Sequence, residues 1–233
     1  MDEAQRLDIF RAQTKNVQKL NQVRKQINRT INYALRKGDT TSAEIHTRVL
    51  ALIFCAWVEA QFSKVVHTPY GFTLDEIRQI KEIYQCNGAG VGWETCVELG
   101  LRKVVNSPKS NYIPNVRQKL FRIIGEYVVE PSLIRNKIAH GQWEIALNRE
   151  NTAINNELSN KLHNLDTVSV NIWFDVHSYL AEVVEVLIES PDRAFHRDYW
   201  VHVTNLEEFV REAANLNLAE KIKRLQKKPL KRD

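Results

Sequence analysis

From Glu3 to Lys37 the apolar residues Leu7, Phe10, Val17, Leu20, Val23, Ile27 and Ile31 recur at threes, fours and sevens, with no Pro or Gly between them. That spacing predicts one long amphipathic helix, ended by Gly38. Its polar face carries Arg6, Arg11, Lys15, Lys19, Arg24, Lys25 and Arg29, a basic stripe that suits either a solvated face or the backbone of a nucleic acid. A second helix is expected from Thr41, where Glu44 three residues on would complete a capping box. From Val49 to Phe62 this helix is apolar nearly all round, the pattern of an element at the centre of a core. Glu59 is the exception: a carboxylate among such neighbours needs a partner or a place at the rim.

Further along, Pro69-Tyr70-Gly71 marks a turn, and Thr73 with Glu76 caps a short helix to about Gln85. The glycine-rich run Asn87 to Gly92 follows a helix rather than a strand and lacks a Lys-Ser/Thr ending, so it reads as a flexible connection and not as a phosphate loop. A helix is expected from Trp93 to Asn106, a connection from Ser107 to Pro114, and a helix from Asn115 to Val129 with Val116, Leu120, Ile123, Ile124, Tyr127 and Val128 on one side. Pro131 suits the first turn of a new helix that reaches Gly141. Trp143, Ile145 and Leu147 then alternate with Glu144, Ala146 and Asn148, and the chain returns through Ala153, Ile154 and Asn155, which predicts a small β-hairpin. Helical spacing resumes from Val168 to Glu189. The pattern therefore predicts an all-α domain over residues 1–190, with a hairpin as its one β feature. Residues 191–233 are expected to form a C-terminal extension: a loop or short extended piece around Tyr199 to Val203, a helix from Asn205 to about Gln226, and a basic tail.

Size and composition fit one generous core: 233 residues and 27.1 kDa, 43% hydrophobic and 26% charged. A net charge of +5 and a pI near 9.1 permit attraction to polyanions. Cys55, Cys86 and Cys96 show no paired spacing, and His163, His177, His196 and His202 have no accompanying Cys, so neither a disulfide framework nor a zinc site is expected. This favours a reducing compartment and a cytoplasmic location. The start of the chain lacks the layout of a secretion signal, and no apolar run is read as a membrane span.

The chemistry concentrates in Leu133-Ile134-Arg135-Asn136-Lys137-Ile138-Ala139-His140-Gly141, where polar groups interrupt an apolar helical pattern. On a helix Asn136 and His140 lie one turn apart on one face, and Arg135 can curl towards the imidazole. An Arg offers a charged fork to phosphate, and a His exchanges protons near neutral pH. Together they suit RNA strand cleavage, in which a 2′-hydroxyl loses a proton, a phosphorane is stabilised and the leaving 5′-oxygen gains a proton. No metal or cofactor is required. Read without function, the same residues are a surface charge, a helix-end amide and a His at the negative end of a helix dipole.

This segment resembles the signature of the HEPN superfamily, an Arg followed by a polar residue and, after four to six intervening residues, a His. Here four residues intervene, Asn136 is present and Gly141 follows. The resemblance implies an antiparallel HEPN-like helical bundle, a homodimer in which two motif copies meet across a cleft, and metal-independent endoribonuclease activity leaving 2′,3′-cyclic phosphate and 5′-hydroxyl ends. It implies catalytic roles for Arg135, Asn136 and His140, and it makes Glu59 a candidate for orienting Arg135 or His140. Lys137, Trp143 and Arg149 are the candidate RNA contacts, Trp143 either stacking on a base or packing into the core. Some relatives of this type carry a Tyr two residues after the His; Gln142 stands there, so control by modification of that Tyr is not expected. A toxin or phage-defence effector with an antitoxin or sensor partner is one setting. A non-catalytic HEPN-like module that binds RNA, a nucleotide or a protein is the alternative.

Overall fold

The computed structural model describes residues 1–104, 111–189 and 194–227, and among them the chain forms ten α-helices and one π-helical turn. The protein is all-α. α1 (Glu3–Lys37) and α2 (Thr40–Val66) pack against each other around Gly38, which takes the left-handed conformation at φ 73° and closes α1. The cap of α2 is Asp39 rather than Thr41. Its carboxylate accepts the Ser42 N–H at 3.0 Å and places negative charge at the positive end of the helix dipole.

α2 organises the interior because it is apolar all round. Its first half meets the end of α1 through Leu50, Phe54 and Trp57, and its second half enters a larger cluster through Phe62, Val65 and Val66. By length and composition it could cross a membrane, against the expectation that no apolar run is a membrane span, but most of that apolar stretch is buried against neighbouring helices. α3 (Leu74–Asn87) begins at the expected capping box, with Thr73 and Glu76 bonded reciprocally. α4 (Ala89–Arg102) follows at once, so the glycine-rich run is the first turn of a helix and not a loop. The reason lies in close packing: a Cβ at Gly92 would sit 2.7 Å from Tyr84 Cδ2 and 3.1 Å from Phe62 Cζ, so only glycine lets α4 approach that stacked pair. Gly92→Ala is expected to destabilise the protein by about 1–2 kcal/mol in chemical denaturation, the overpacking outweighing the gain in helix propensity. Gly125→Ala, where a Cβ meets nothing within 4 Å, should instead stabilise by up to about 1 kcal/mol.

α5 (Tyr112–Ile124), the π turn (Gly125–Val129) and α6 (Glu130–Ala139) run on without a break. Pro131 therefore does not restart the chain. Lacking an N–H, and with a ring that would crowd the carbonyl four residues back, it is accommodated by the wider π turn, where Glu130 N–H bonds to Gly125 O. Part of the connection expected from Ser107 to Pro114 lies outside the described residues; its end, from Tyr112, is helical.

The expected hairpin contracts to a single antiparallel bridge, Leu147 with Ile154, flanked by Asn148 N–H to Ala153 O at 2.8 Å and Asn155 N–H to Ala146 O at 2.7 Å. The chain reverses there, but no strand forms among the described residues. Asn155 caps a further helix, α7 (Asn156–His163), through Leu158 N–H, and this diverts the chain before a second strand can pair. α8 (Thr167–Glu189) is the other central helix. The extended piece expected at Tyr199 to Val203 is helical instead, inside α9 (Ala194–Ala213). Packing on α8 overrides the β-preferring residues there, with Val203 and Leu206 fully inside the core. α10 (Leu218–Gln226) lays Leu218, Ile222 and Leu225 on the cluster shared with α1 and α8. The basic tail beyond Lys227 lies outside the described residues.

Candidate functional site

α6 ends in a Schellman arrangement that fixes the segment after the motif. Gly141, at φ 78°, donates to Ile138 O at 3.1 Å, and Gln142 N–H reaches Lys137 O at 2.9 Å. The buried stripe of α6 is Pro131, Ile134 and Ile138. The exposed stripe is Val129, Leu133, Asn136 and His140, one to two turns apart along one side.

His140 stands at the helix end with its side chain in solvent and lines an open cleft of about 830 Å³ together with Leu133, Asn136, Lys137, Asn148 and Arg149. The segment 142–155 forms the opposite wall. Lys137 Nζ donates to Leu147 O at 2.6 Å, Gln142 Oε1 accepts the Leu147 N–H at 2.8 Å, and Ser159 Oγ accepts the Ala146 N–H at 2.9 Å. Lys137 thus spends one donor on the wall while its charge remains at the cleft. Arg149 is exposed and lies at the turn.

Arg135 points to the other flank. It is half-buried against α2, with Nη2 3.6 Å from Glu59 Oε1, and its Nε is buried with no acceptor among the described residues. It also faces the Cys55 thiol, which burial pushes up to about 12, so that sulfur stays protonated. Tyr84 belongs to the same group: burial first, and then the Glu59 carboxylate, raise its phenol above the usual tyrosine range. Within the chain the motif is therefore divided. Asn136, Lys137 and His140 line the cleft, while Arg135 sits with Glu59 beside it.

Trp143 is half-buried, packs on the core, and donates Nε1–H to Ile138 O at 3.0 Å. It caps the helix end, which occupies the polar edge of the ring. Sequence reasoning missed Arg48, a buried guanidinium of α2 whose Nε donates to Trp143 O at 3.0 Å and whose Nη2 lies 3.5 Å from Glu144. A charged residue among the apolar positions of α2 was the available signal; its target, 95 residues away in another element, was not. Among the described residues no three His, Cys, Asp or Glu side chains converge as metal ligands.

No protein-family model matches the chain, and no curated protein and no solved structure is recognisably similar to it.

Proposed function

We propose that the protein is a metal-independent endoribonuclease of HEPN type, built on an HEPN-like bundle and acting as a homodimer. The observation that carries this reading is the joint placement of His140 and Asn136 on the open wall of a cleft that Lys137 and Arg149 also line. His140 has no side-chain hydrogen bond among the described residues to hold its ring in a structural role, so its nitrogens can exchange a proton with a 2′-hydroxyl or a leaving 5′-oxygen. Asn136, one turn earlier on the same side, orients the scissile phosphate or the imidazole. Arg135 supplies charge to the phosphorane from the adjoining flank. Its contact with Glu59 is long for a tight ion pair and leaves Nε without an acceptor, so the guanidinium is not saturated.

A second copy completes the site. Val129 and Leu133 are 39% and 44% exposed on the stripe that carries Asn136 and His140, an apolar edge beside the cleft that a two-fold partner would cover. Such docking sets two imidazoles and two guanidiniums around one groove, giving one proton acceptor and one donor for in-line cleavage. A cytoplasmic toxin or defence effector, held in check by an antitoxin or sensor protein, is the setting this activity fits.

The test is cleavage of an end-labelled RNA in EDTA. The expected products carry a 2′,3′-cyclic phosphate and a 5′-hydroxyl, and a fully 2′-O-methylated substrate should stay intact because it has no proton to lose. Loss of cleavage in EDTA, or cleavage of the methylated strand, would exclude the mechanism.

The division of the motif favours one other reading, a non-catalytic module in which Arg135 and Glu59 join α6 to α2 and the cleft merely binds RNA. Under it, motif variants change RNA affinity or folding and there is no turnover to lose.

A further inference from the structure

The wall of the cleft opposite His140 is held by hydrogen bonds that fix the direction of its amides. Gln142 Oε1 accepts the Leu147 N–H at 2.8 Å, and Asn155 Oδ1 accepts the Leu158 N–H at 3.0 Å. Only the oxygen of an amide can accept from a backbone N–H, so each side chain is left with its NH2 end free. Both residues are half-buried and line the cleft, and neither amide nitrogen has an acceptor among the described residues or is shut away from solvent. They are also tied to neighbouring positions. Gln142 is bonded to Leu147, and the Asn155 backbone N–H donates to Ala146 O at 2.7 Å, beside the Leu147–Ile154 bridge.

The acceptors of this wall, in contrast, already have donors. Leu147 O is held by Lys137, Ala146 O by Asn155, and Asn148 Oδ1 by the Thr152 and Ala153 N–H groups. No Asp or Glu lines the cleft among the described residues. Asn136 and Asn151 are exposed and their side chains carry no such bond there, so their amides can rotate and impose no choice. What the fixed wall offers a ligand is therefore a pair of donors, set among the apolar side chains of Leu133, Leu147 and Leu158.

Paired donors discriminate between bases. Guanine carries two adjacent acceptors, N7 and O6, on one edge, whereas adenine sets its N6 amine beside N7 and would oppose donor to donor. In paired RNA that edge lies in a deep, narrow groove that side chains do not read, so the base must be unpaired. Phosphate oxygens also accept, but neutral amides are weak partners for them beside the charged Lys137 and Arg149. We propose that Gln142 and Asn155 are specificity-determining residues of this cleft, selecting guanine over adenine in single-stranded RNA through its N7–O6 edge. The assignment rests on the ribonuclease reading for its substrate class and adds the base to it.

Fluorescence anisotropy of the full chain tests it, with short labelled strands that carry one 2′-O-methylated nucleotide between abasic deoxyribose spacers. Such strands offer a single base and have no 2′-hydroxyl, so none is cut. Guanine and hypoxanthine strands should bind alike, since both keep N7 and O6. Strands with 7-deazaguanine, which lacks N7, or with adenine should bind about tenfold to a hundredfold more weakly. These comparisons use the unaltered protein and do not depend on any variant folding. Gln142→Glu with Asn155→Asp keeps the oxygens that hold Leu147 and Leu158 and replaces each donor with an acceptor. The added charge weakens every strand alike, so the readout is the ratio of guanine to adenine affinity, which should fall to about one or below. Equal binding of guanine and adenine, undiminished binding of 7-deazaguanine, no binding of any strand, or an unchanged ratio in the double variant would each overturn the assignment. Cleavage of natural RNA, followed in parallel, keeps the two readings apart. Cutting without base preference sinks the guanine assignment and spares the ribonuclease; base preference without cutting does the reverse.

Discussion

Replacing His140 with alanine is expected to lower the rate of RNA cleavage by about 10²–10⁴-fold, the contribution of a positioned proton donor or acceptor, with the thermal melting midpoint unchanged. The second half of that expectation comes from the structure. His140 is exposed at the end of α6 and, among the described residues, makes no side-chain hydrogen bond and belongs to no core cluster, so its removal costs the fold nothing visible. The backbone N–H that closes the helix on Asn136 O is kept by any residue. Arg135→Ala is expected to cost about 10²–10³-fold in rate, the scale of removing one donor to a developing oxyanion. Unlike His140, it also strands Glu59, so its melting point should fall slightly. Arg135→Lys separates the two effects: charge opposite Glu59 survives while the planar fork is lost. Losses in the double variant should fall well short of the product of the single ones if, as proposed, the groups act on one transition state. Cleavage that proceeds at the normal rate in both single variants would exclude the motif from the chemistry and leave RNA binding as its role.

The second large effect lies in acid. His177 is fully buried on α8, edge-on to Trp57 and Trp93 with ring centroids 5.4 and 5.0 Å away, and neither ring nitrogen has a partner among the described residues. Burial presses its pKa down to about 3, against an ordinary value near 6.5. Folding therefore requires the neutral ring. Above pH 6.5 neither the folded nor the unfolded chain holds that proton, and stability is unaffected. Below it the unfolded chain takes the proton and the folded chain does not, so stability falls by roughly 1.4 kcal/mol per pH unit until the folded pKa is reached. By pH 5 this one group should have removed about 2 kcal/mol. His177→Leu, close in volume and unable to charge, should flatten that limb of the urea-denaturation profile, and the difference in slope between the two proteins cancels any offset at neutral pH. Parallel acid limbs would show that the ring reaches solvent before it is protonated. His67, also lowered by burial, adds loss of the same sign to both proteins and does not disturb the comparison.

Several helix limits were legible where a single residue decides them, although the α2 cap at Asp39 was not. Gly38 ends α1, the Thr73–Glu76 pair begins α3, and Gly141 closes α6, each by local backbone chemistry that needs no tertiary knowledge. The errors fall where packing outranks local preference. Gly88 to Gly92 reads as a loop until Tyr84 and Phe62 are brought against α4, and Tyr199 to Val203 reads as extended until α8 is laid beside it. α7 was missed because only Leu158 and Leu162 carry its apolar face, too few for a periodicity. At the site, the one-turn relation of Asn136 to His140 followed from spacing. The turn of Arg135 towards Glu59 was expected only through the family resemblance, and its approach to Cys55 not at all, because five residues along a helix point a side chain well away from its neighbour, and what lies there depends on where α2 passes.

Residues 142–155 illustrate how far such anchoring reaches. Tied to α6 through Lys137 and Gln142, to α2 through Arg48 and to α7 through Ser159, this stretch is a fixed shelf and not a swinging gate. Only the short crest around Arg149 to Thr152, exposed and supported mainly by Asn148, is free to vary. If the cleft admits RNA as proposed, any further tuning of which strands enter must be written in the side chains of that crest, and exchanging them should alter preference while the scaffold beneath stands unchanged.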